Sequence, residues 1–367
     1  MKNSHSVSNT DPQKILVVRN DKLGDFMLSW PSFAALKHAF PESRIIALVP
    51  AYTQPVAELC PSIDEVIIDP TADAGVNGFI SLLKRIREQR FDLMLTLFST
   101  TRVGLLGFAA GIPARWAPAT KLAQIFYNHT LKQKRSRSEK PEFQYNLDLT
   151  EACIKSAQSD KPNPSHYQSH SHITERPYLA FDDTSLKALR QQFVDQHCIV
   201  AEQRLVFIHA GHGGSANNLG LLQYAELAKL ISHETVCFIL TAGPGELEDT
   251  QKLAALMDQF HLNYRIFNST EGLTSFARHL ALADLFIAGS TGTLHIAGAL
   301  DRPTVGFYPN RRSSTPLRWR TLNSHGRYLA LTPPSDIEQD MSCVDLSKAA
   351  EDIQAFMARL WSGDYQT

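Results

Sequence analysis

Short β-branched runs alternate with longer amphipathic stretches from end to end of this 367-residue chain, and that alternation restricts it to an α/β architecture. In the first half the predicted strands are Ile15–Val18, Arg44–Val49, Glu65–Ile68 and Asp92–Leu97. In the second half they are Leu205–His209, Val236–Thr241, Tyr264–Phe267, Asp284–Ala288 and Thr304–Tyr308. Helical spacing follows the strands; Trp30, Phe33, Ala34 and Lys37 to Phe40 illustrate it after the first. Strands separated by helices imply right-handed crossovers and parallel sheets. The strands are almost continuously apolar, as a sheet covered on both faces requires.

Residues 158–177 are rich in Ser, Pro, His, Asn and Asp and read as a linker. The expected organisation is a polar, disordered tail (1–13), a Rossmann-like domain (14–157), the linker, a second Rossmann-like domain (178–345), and a closing segment (346–367) whose helix covers Leu346 to Trp361. The two domains are expected to face a central cleft. Val103 to Ile112, interrupted by Gly104, Gly107 and Gly111, is expected to be a buried helix in close contact with a neighbour. It is too short to cross a bilayer. The tail carries no apolar stretch of signal-peptide type. The expectation is a cytoplasmic protein, at most peripheral on the inner face of a membrane.

Composition closes off other classes. Apolar residues make up 43 % and charged residues 20 %, which excludes disordered, collagen-like and disulfide-scaffold chains. Lys and Arg number 36 against 37 Asp and Glu, a net charge of −1, so no nucleic-acid partner is expected. The five cysteines are scattered and lack CxxC pairing, which suggests a reducing compartment and no zinc site. His166, His170 and His172 lie in the linker without a carboxylate at fixed spacing, and no metal site is predicted.

In open parallel sheets, ligands bind beyond the carboxyl ends of the strands. Three loops at such positions concentrate polar chemistry. Arg19-Asn20-Asp21-Lys22-Leu23-Gly24-Asp25 follows the first strand, and Asp25 reads either as a helix cap or as a catalytic carboxylate. His209 to Asn218 contains Gly211, Gly213, Gly214 and Ser215, a composition that suits an anion-binding nest or a purely structural turn. Gly289-Ser290-Thr291-Gly292-Thr293-Leu294-His295 opens another helix, with hydroxyls and glycine suited to a diphosphate. Glu246, after Gly243-Pro244-Gly245, is positioned to accept hydrogen bonds from sugar or ribose hydroxyls, or is an exposed first-turn glutamate. The tract Lys132 to Lys140 holds five cations and one anion and is read as a solvated loop or as a surface for phosphate-rich or anionic-membrane partners.

The stretches ILVVRNDKLGDFMLSWP (Ile15 to Pro31), FIHAGHGGSANNLGLLQYAELA (Phe207 to Ala228) and IAGSTGTLHIAGALDRPTVGFYP (Ile287 to Pro309) resemble those of glycosyltransferase family nine, the ADP-heptose:lipopolysaccharide heptosyltransferases. The resemblance extends through Arg44 to Asp69 and the Pro316-Leu317-Arg318-Trp319 turn. It implies the GT-B fold, with acceptor bound by the first domain and nucleotide sugar by the second. It also implies Asp25 as catalytic base, with Ser290, Thr291, Gly292, His295 and Glu246 joining Gly211, Gly213, Gly214 and Ser215 in donor binding. Arg19, Lys22, Lys132, Lys134, Arg135 and Arg137 are then the acceptor-binding cations. The sequence departs from many members at Asn217-Asn218-Leu219-Gly220, where they carry Lys or Arg before Trp-Pro, and at Ser290, where some carry Asp. Arg311 or Arg312 is the candidate replacement for the missing cation.

The implied reaction is inverting transfer of a heptose from ADP-heptose to the lipopolysaccharide inner core, with lipid A–Kdo as acceptor and the anionic inner membrane as the surface it is held on. No tightly bound cofactor and no protein-held metal are expected; Mg²⁺ would assist only through the diphosphate. Other readings stay open on the sequence: a family member using another nucleotide sugar, a nucleotide-sugar epimerase or hydrolase of the same fold, or a non-catalytic binding protein.

Overall fold

A computed structural model describes residues 11–71, 74–119, 122–159, 176–211, 218–335, 337 and 340–362. Among them the chain forms two units: one from the residues up to Lys134 together with those from Phe143 onward to the linker, the other from Arg135–Glu142 and the residues after Arg176. The predicted linker lies almost wholly outside the described residues, as do His166, His170 and His172.

The first unit contains strands β1 (Lys14–Val18), β2 (Arg44–Pro50), β3 (Glu65–Asp69), β4 (Leu93–Thr96), β5 (Ala114–Pro118) and β6 (His129–Leu131), in the order β3-β2-β1-β4-β5-β6. The second contains β7 (Arg204–His209), β8 (Val236–Ala242), β9 (Tyr264–Asn268), β10 (Leu285–Gly289), β11 (Thr304–Phe307) and β12 (Tyr328–Leu331), in the order β12-β11-β10-β7-β8-β9. Every pairing is parallel. Ile15 to Val18, Ile45 to Val49 and Leu285 to Ala288 are fully buried, so these runs are covered on both faces. The strand order reverses between β1 and β4 and again between β7 and β10. Those two switch points are where open α/β sheets accept ligands.

Register is set at the strand starts by aspartates one residue ahead of a strand. Asp92 Oδ2 accepts from the N–H groups of Gln13 (2.8 Å) and Lys14 (2.9 Å), at the head of β1. Asp64 Oδ2 accepts from Ile45 N–H (2.7 Å) in β2, and Asp284 Oδ2 from Leu205 N–H (2.8 Å) in β7. Each carboxylate satisfies a donor that the ladder leaves unpaired. A slip of one residue would forfeit these bonds and turn every core side chain to the wrong face.

Three strands were not expected. β5 contains Arg115 and ends on Pro118, β6 is three residues long, and β12 is a short run after Arg327. All three lie away from the sheet centres, where short or polar-bearing runs are tolerated. The first helical stretch is divided into Leu23–Met27 and Trp30–Ala39, with Pro31 in the opening turn of the second helix. The segment expected to be a buried helix is helical over Thr101–Ala109 but buries one face only; Leu105 and Phe108 are exposed. Its close contact is real, since a Cβ on Gly104 would lie 3.0 Å from Phe126 Cβ.

The helix Leu346–Trp361 has the predicted bounds. Asp345 caps it, and Ala350, Ile353, Phe356 and Met357 join Leu227 and Ile231 in the core of the second unit. Among the described residues no helix is long and apolar enough to cross a membrane.

Asp284 also pairs with Arg190 (3.3 Å) and Arg204 (3.4 Å). Asp284→Ala should therefore destabilise the second unit by about 1–3 kcal/mol. Urea unfolding checks this, and an unchanged midpoint would contradict the role given to the strand-head aspartates.

Candidate active site

The first unit's switch point is occupied by the loop that leaves β1. Arg19 directly follows β1, its N–H donating to Leu48 O (3.3 Å), and its side chain is buried. Nε donates to Asp21 Oδ1 (2.8 Å), Nη1 to Asn146 Oδ1 (3.3 Å), and Nη2 to Asp25 Oδ1. Asn146 comes from the helix Glu142–Ser159, and its amide nitrogen donates to Leu28 O (3.2 Å). The planar fork of arginine holds three acceptors in fixed directions through Nε, Nη1 and Nη2, a geometry that the compact ammonium of a lysine would not reproduce.

Asp25 lies in the first turn of Leu23–Met27, whose N-cap is Lys22. Lys22 itself is exposed. The same loop is braced on its other side: Asn20 Nδ2 donates to Asp69 Oδ2 (2.5 Å), and Asp69, buried at the end of β3, accepts from Arg102 (2.9 Å) and from Thr71 N–H (3.0 Å). Asn146, Asp69 and Arg102 did not emerge from the sequence. They lie 127, 50 and 83 positions from Arg19, and no local pattern links them.

The second unit's switch point joins the ends of β7 and β10. Gly213, Gly214 and Ser215 lie outside the described residues; Gly211 is described, and the carboxylate of Glu246 sits directly over it. A Cβ on Gly211 would come within 2.3 Å of that carboxylate, so any larger residue there would displace the Glu246 side chain. Glu246 Oε2 accepts from Gly243 N–H (2.9 Å) and lies 3.6 Å from His209 Nε2. Thr241 Oγ1 donates to Ile208 O and so accepts from His209 Nδ1 (3.0 Å), which leaves the neutral ring's Nε2 as an acceptor. Burial pushes the His209 pKa down, with Glu246 opposing.

Asn218, at the position where the resemblance predicts a departure, is a brace. Its Nδ2 donates to Ala210 O (3.0 Å), and its Oδ1 accepts from Leu219 N–H (2.9 Å) and Tyr224 Oη (2.6 Å). A Cβ on Gly289 would meet that Oδ1 at 2.5 Å, so Asn218 packs the two switch-point turns against each other. Ser290 N–H donates to Phe307 O (3.0 Å). Thr291 is the N-cap of the helix Gly292–Ala299 and makes no side-chain cap, its hydroxyl pairing instead with Thr293 Oγ1 (2.9 Å). The helix N-terminus thus presents backbone donors suited to an anion. His295, one turn in, is buried, and its Nδ1 has no partner. Arg311 and Arg312 are exposed in the turn after β11.

The basic tract is divided. Lys132 and Lys134 are exposed residues of the first unit, whereas Arg135–Glu142 belongs with the second. Arg135 Nη1 pairs with the buried Glu142 (2.6 Å), as does Arg318, and Glu142 N–H donates to Arg318 O (2.8 Å). Arg135 is therefore engaged in an internal ion cluster, while Arg137 is exposed beside Glu139 (3.6 Å). Arg19 is likewise committed internally, to the two loop aspartates. Among the described residues, no three or more His, Cys, Asp or Glu side chains gather as a metal site.

Solved structures share this architecture. A family 9 glycosyl transferase from Veillonella parvula superposes with a TM-score of 0.74 at 18 % identity, covering 96 % of this chain and 99 % of that one. The Escherichia coli ADP-heptose lipopolysaccharide heptosyltransferase II gives 0.71 at 20 % identity, covering 94 % and 99 %. The two Rossmann-like units are those of the GT-B class of glycosyltransferases.

Residues 79–348 match glycosyltransferase family 9 (heptosyltransferase). A Haemophilus influenzae relative bearing the name "Putative glycosyltransferase" is 44 % identical over 352 residues, 95 % of this chain and 98 % of that one. Escherichia coli lipopolysaccharide heptosyltransferase 2 is 25 % identical over 309 residues, 83 % and 85 % of the respective lengths. The chain belongs to glycosyltransferase family 9 and is a glycosyltransferase.

Burial alone pulls the His295 pKa down to about 4 from the ordinary 6.5. The folded protein holds this imidazole neutral while the unfolded chain protonates below 6.5, so its contribution is full above that pH and is lost as pH falls toward 4. The stability difference between wild type and His295→Gln should therefore shift by about 2–3 kcal/mol between pH 7 and 4.5, against the wild type. Urea titrations at the two pH values measure it, and a pH-independent difference would contradict burial in the neutral form.

Proposed function

We propose that the protein is an inverting transferase that moves a heptose from ADP-heptose to a hydroxyl of the lipopolysaccharide inner core, with Asp25 as general base. The observation that carries this reading is the carboxylate at the first switch point, fixed on a buried arginine. A general base has to be held within hydrogen-bond reach of the proton it takes, and a rigid ion pair serves that need better than a mobile side chain. The names of the 25 %-identical and structural relatives, both lipopolysaccharide heptosyltransferases, support the choice of substrates.

In this reading Asp25 takes the acceptor hydroxyl proton as that oxygen attacks the anomeric carbon, and the C–O bond to the diphosphate breaks on the opposite face. Charge accumulating on the leaving diphosphate is met by the N–H groups that open the helix Gly292–Ala299 and by the glycine loop from Gly211 to Ser215. Glu246 accepts from donor hydroxyls. Lys22, Lys132, Lys134 and Arg137 hold acceptor phosphates or carboxylates, and Arg19 acts through Asp25 rather than on the acceptor. Mg²⁺ enters only as a counter-ion of the diphosphate. The enzyme works at the anionic inner face of the membrane that carries the acceptor. A second reading, another nucleotide sugar as donor, is favoured by Asn218, an uncharged brace close to where many members carry a cation.

Incubating the purified protein with ADP-heptose and a heptose-deficient core should add one heptose mass to the acceptor. Asp25→Asn should lower turnover by about 10²–10⁴-fold while nucleotide-sugar affinity in calorimetry is kept. Near-normal turnover of the variant would remove the base assignment, and transfer from a different nucleotide sugar alone would remove the heptose.

A further inference from the structure

From Leu93 to Ser138 the sequence carries seven Lys and Arg residues and not one Asp or Glu, in a chain whose total charge is −1. Within that stretch the first unit exposes large apolar side chains. Leu122 is 78 % exposed, Ile125 72 %, Phe108 56 % and Leu105 39 %. Leu105 and Phe108 lie on the helix Thr101–Ala109, Leu122 and Ile125 on the 3₁₀ helix Leu122–Phe126.

The two helices form one surface. Gly104 lets them close on Phe126, the rings of Phe108 and Phe126 stand 6.0 Å apart, and the Arg115 guanidinium lies over Phe108 (5.7 Å) while its Nε donates to Phe126 O (2.8 Å). The helices are thus packed on one face and leave their aliphatic tips outside. Ala119 N–H donates to Leu131 O (2.8 Å), so the 3₁₀ helix starts at the edge of the sheet from which Lys132 and Lys134 emerge. That is the carboxyl edge that also carries Arg19 to Asp25.

We infer that this flank is a docking surface for an anionic phospholipid membrane, with Leu122, Ile125 and Phe108 entering the interface and Lys132 and Lys134 meeting the headgroups. Exposed apolar side chains and exposed cations within one segment, with acidic residues absent throughout it, are the chemistry of an interfacial surface. A protein partner would have to be both acidic and apolar, and a second copy of this chain would bring like charge against like charge. The inference rests on the reading of a lipid-linked acceptor in that it places the surface beside the acceptor site. Its test uses neither donor nor acceptor sugar, so its failure and that of the transfer reading are told apart.

The full-length protein should co-sediment with phosphatidylcholine–phosphatidylglycerol vesicles, release at high salt, and bind phosphatidylcholine alone poorly. Leu122→Ser with Ile125→Ser should weaken that binding by about tenfold or more at an unchanged thermal midpoint, since both side chains are exposed. Lys132→Glu with Lys134→Glu should abolish the preference for the anionic lipid. Equal vesicle binding by wild type and the apolar variant would overturn the inference. So would sedimentation equilibrium showing self-association that the apolar variant abolishes.

Discussion

A buried guanidinium cannot be left without partners in a protein interior, and Arg19 is such a group. Its pairing with Asp21 and Asp25 ties the loop after β1 to the end of the sheet, and Asn146 adds a neutral acceptor from a helix far along the chain. Displacing the loop would strand a buried charge at a cost of about 3–5 kcal/mol. The carboxylate proposed as base is therefore a fixture of the fold. Asp69, held by Arg102, fixes the other side of the same loop through Asn20.

The second unit organises its site by different means. Here the constraints are steric and local: a carboxylate lying where a Cβ of residue 211 would be, an asparagine amide filling the space over Gly289, and a threonine whose hydroxyl pairs with Thr293 Oγ1 instead of capping the helix it precedes. Such packing leaves backbone N–H groups at the end of the switch point, suited to an anion such as the diphosphate of the proposed donor. The contrast suits the proposed reaction. Charge on a diphosphate is met by fixed dipoles, whereas proton transfer needs one titratable group in one place.

Much of this was legible in the chain. Runs such as Ile15–Val18 and Leu205–His209 are apolar throughout because both faces are buried, and their positions put the polar loops at the carboxyl edges. What escaped was what depends on distant partners. β6 is too short to show a period, and β5 carries Arg115 because that side chain bonds to Phe126 and Ile112 carbonyls. Arg19 and Arg135 look like surface cations when read locally. Both are held in ion clusters instead, Arg19 fully buried with Asp25 and Asn146 and Arg135 half-buried against Glu142, which Arg318 also pairs with. The basic tract reads as one loop, yet it crosses from one unit to the other at Lys134.

The proposed activity leaves a chemical product, a core longer by one heptose. Mass spectrometry of lipopolysaccharide core from cells with and without this protein tests it most directly. Cores from cells lacking it should be lighter by one heptose and by whatever is normally added after that residue. Cores of identical mass, or a deficit that begins with a different sugar, would contradict it.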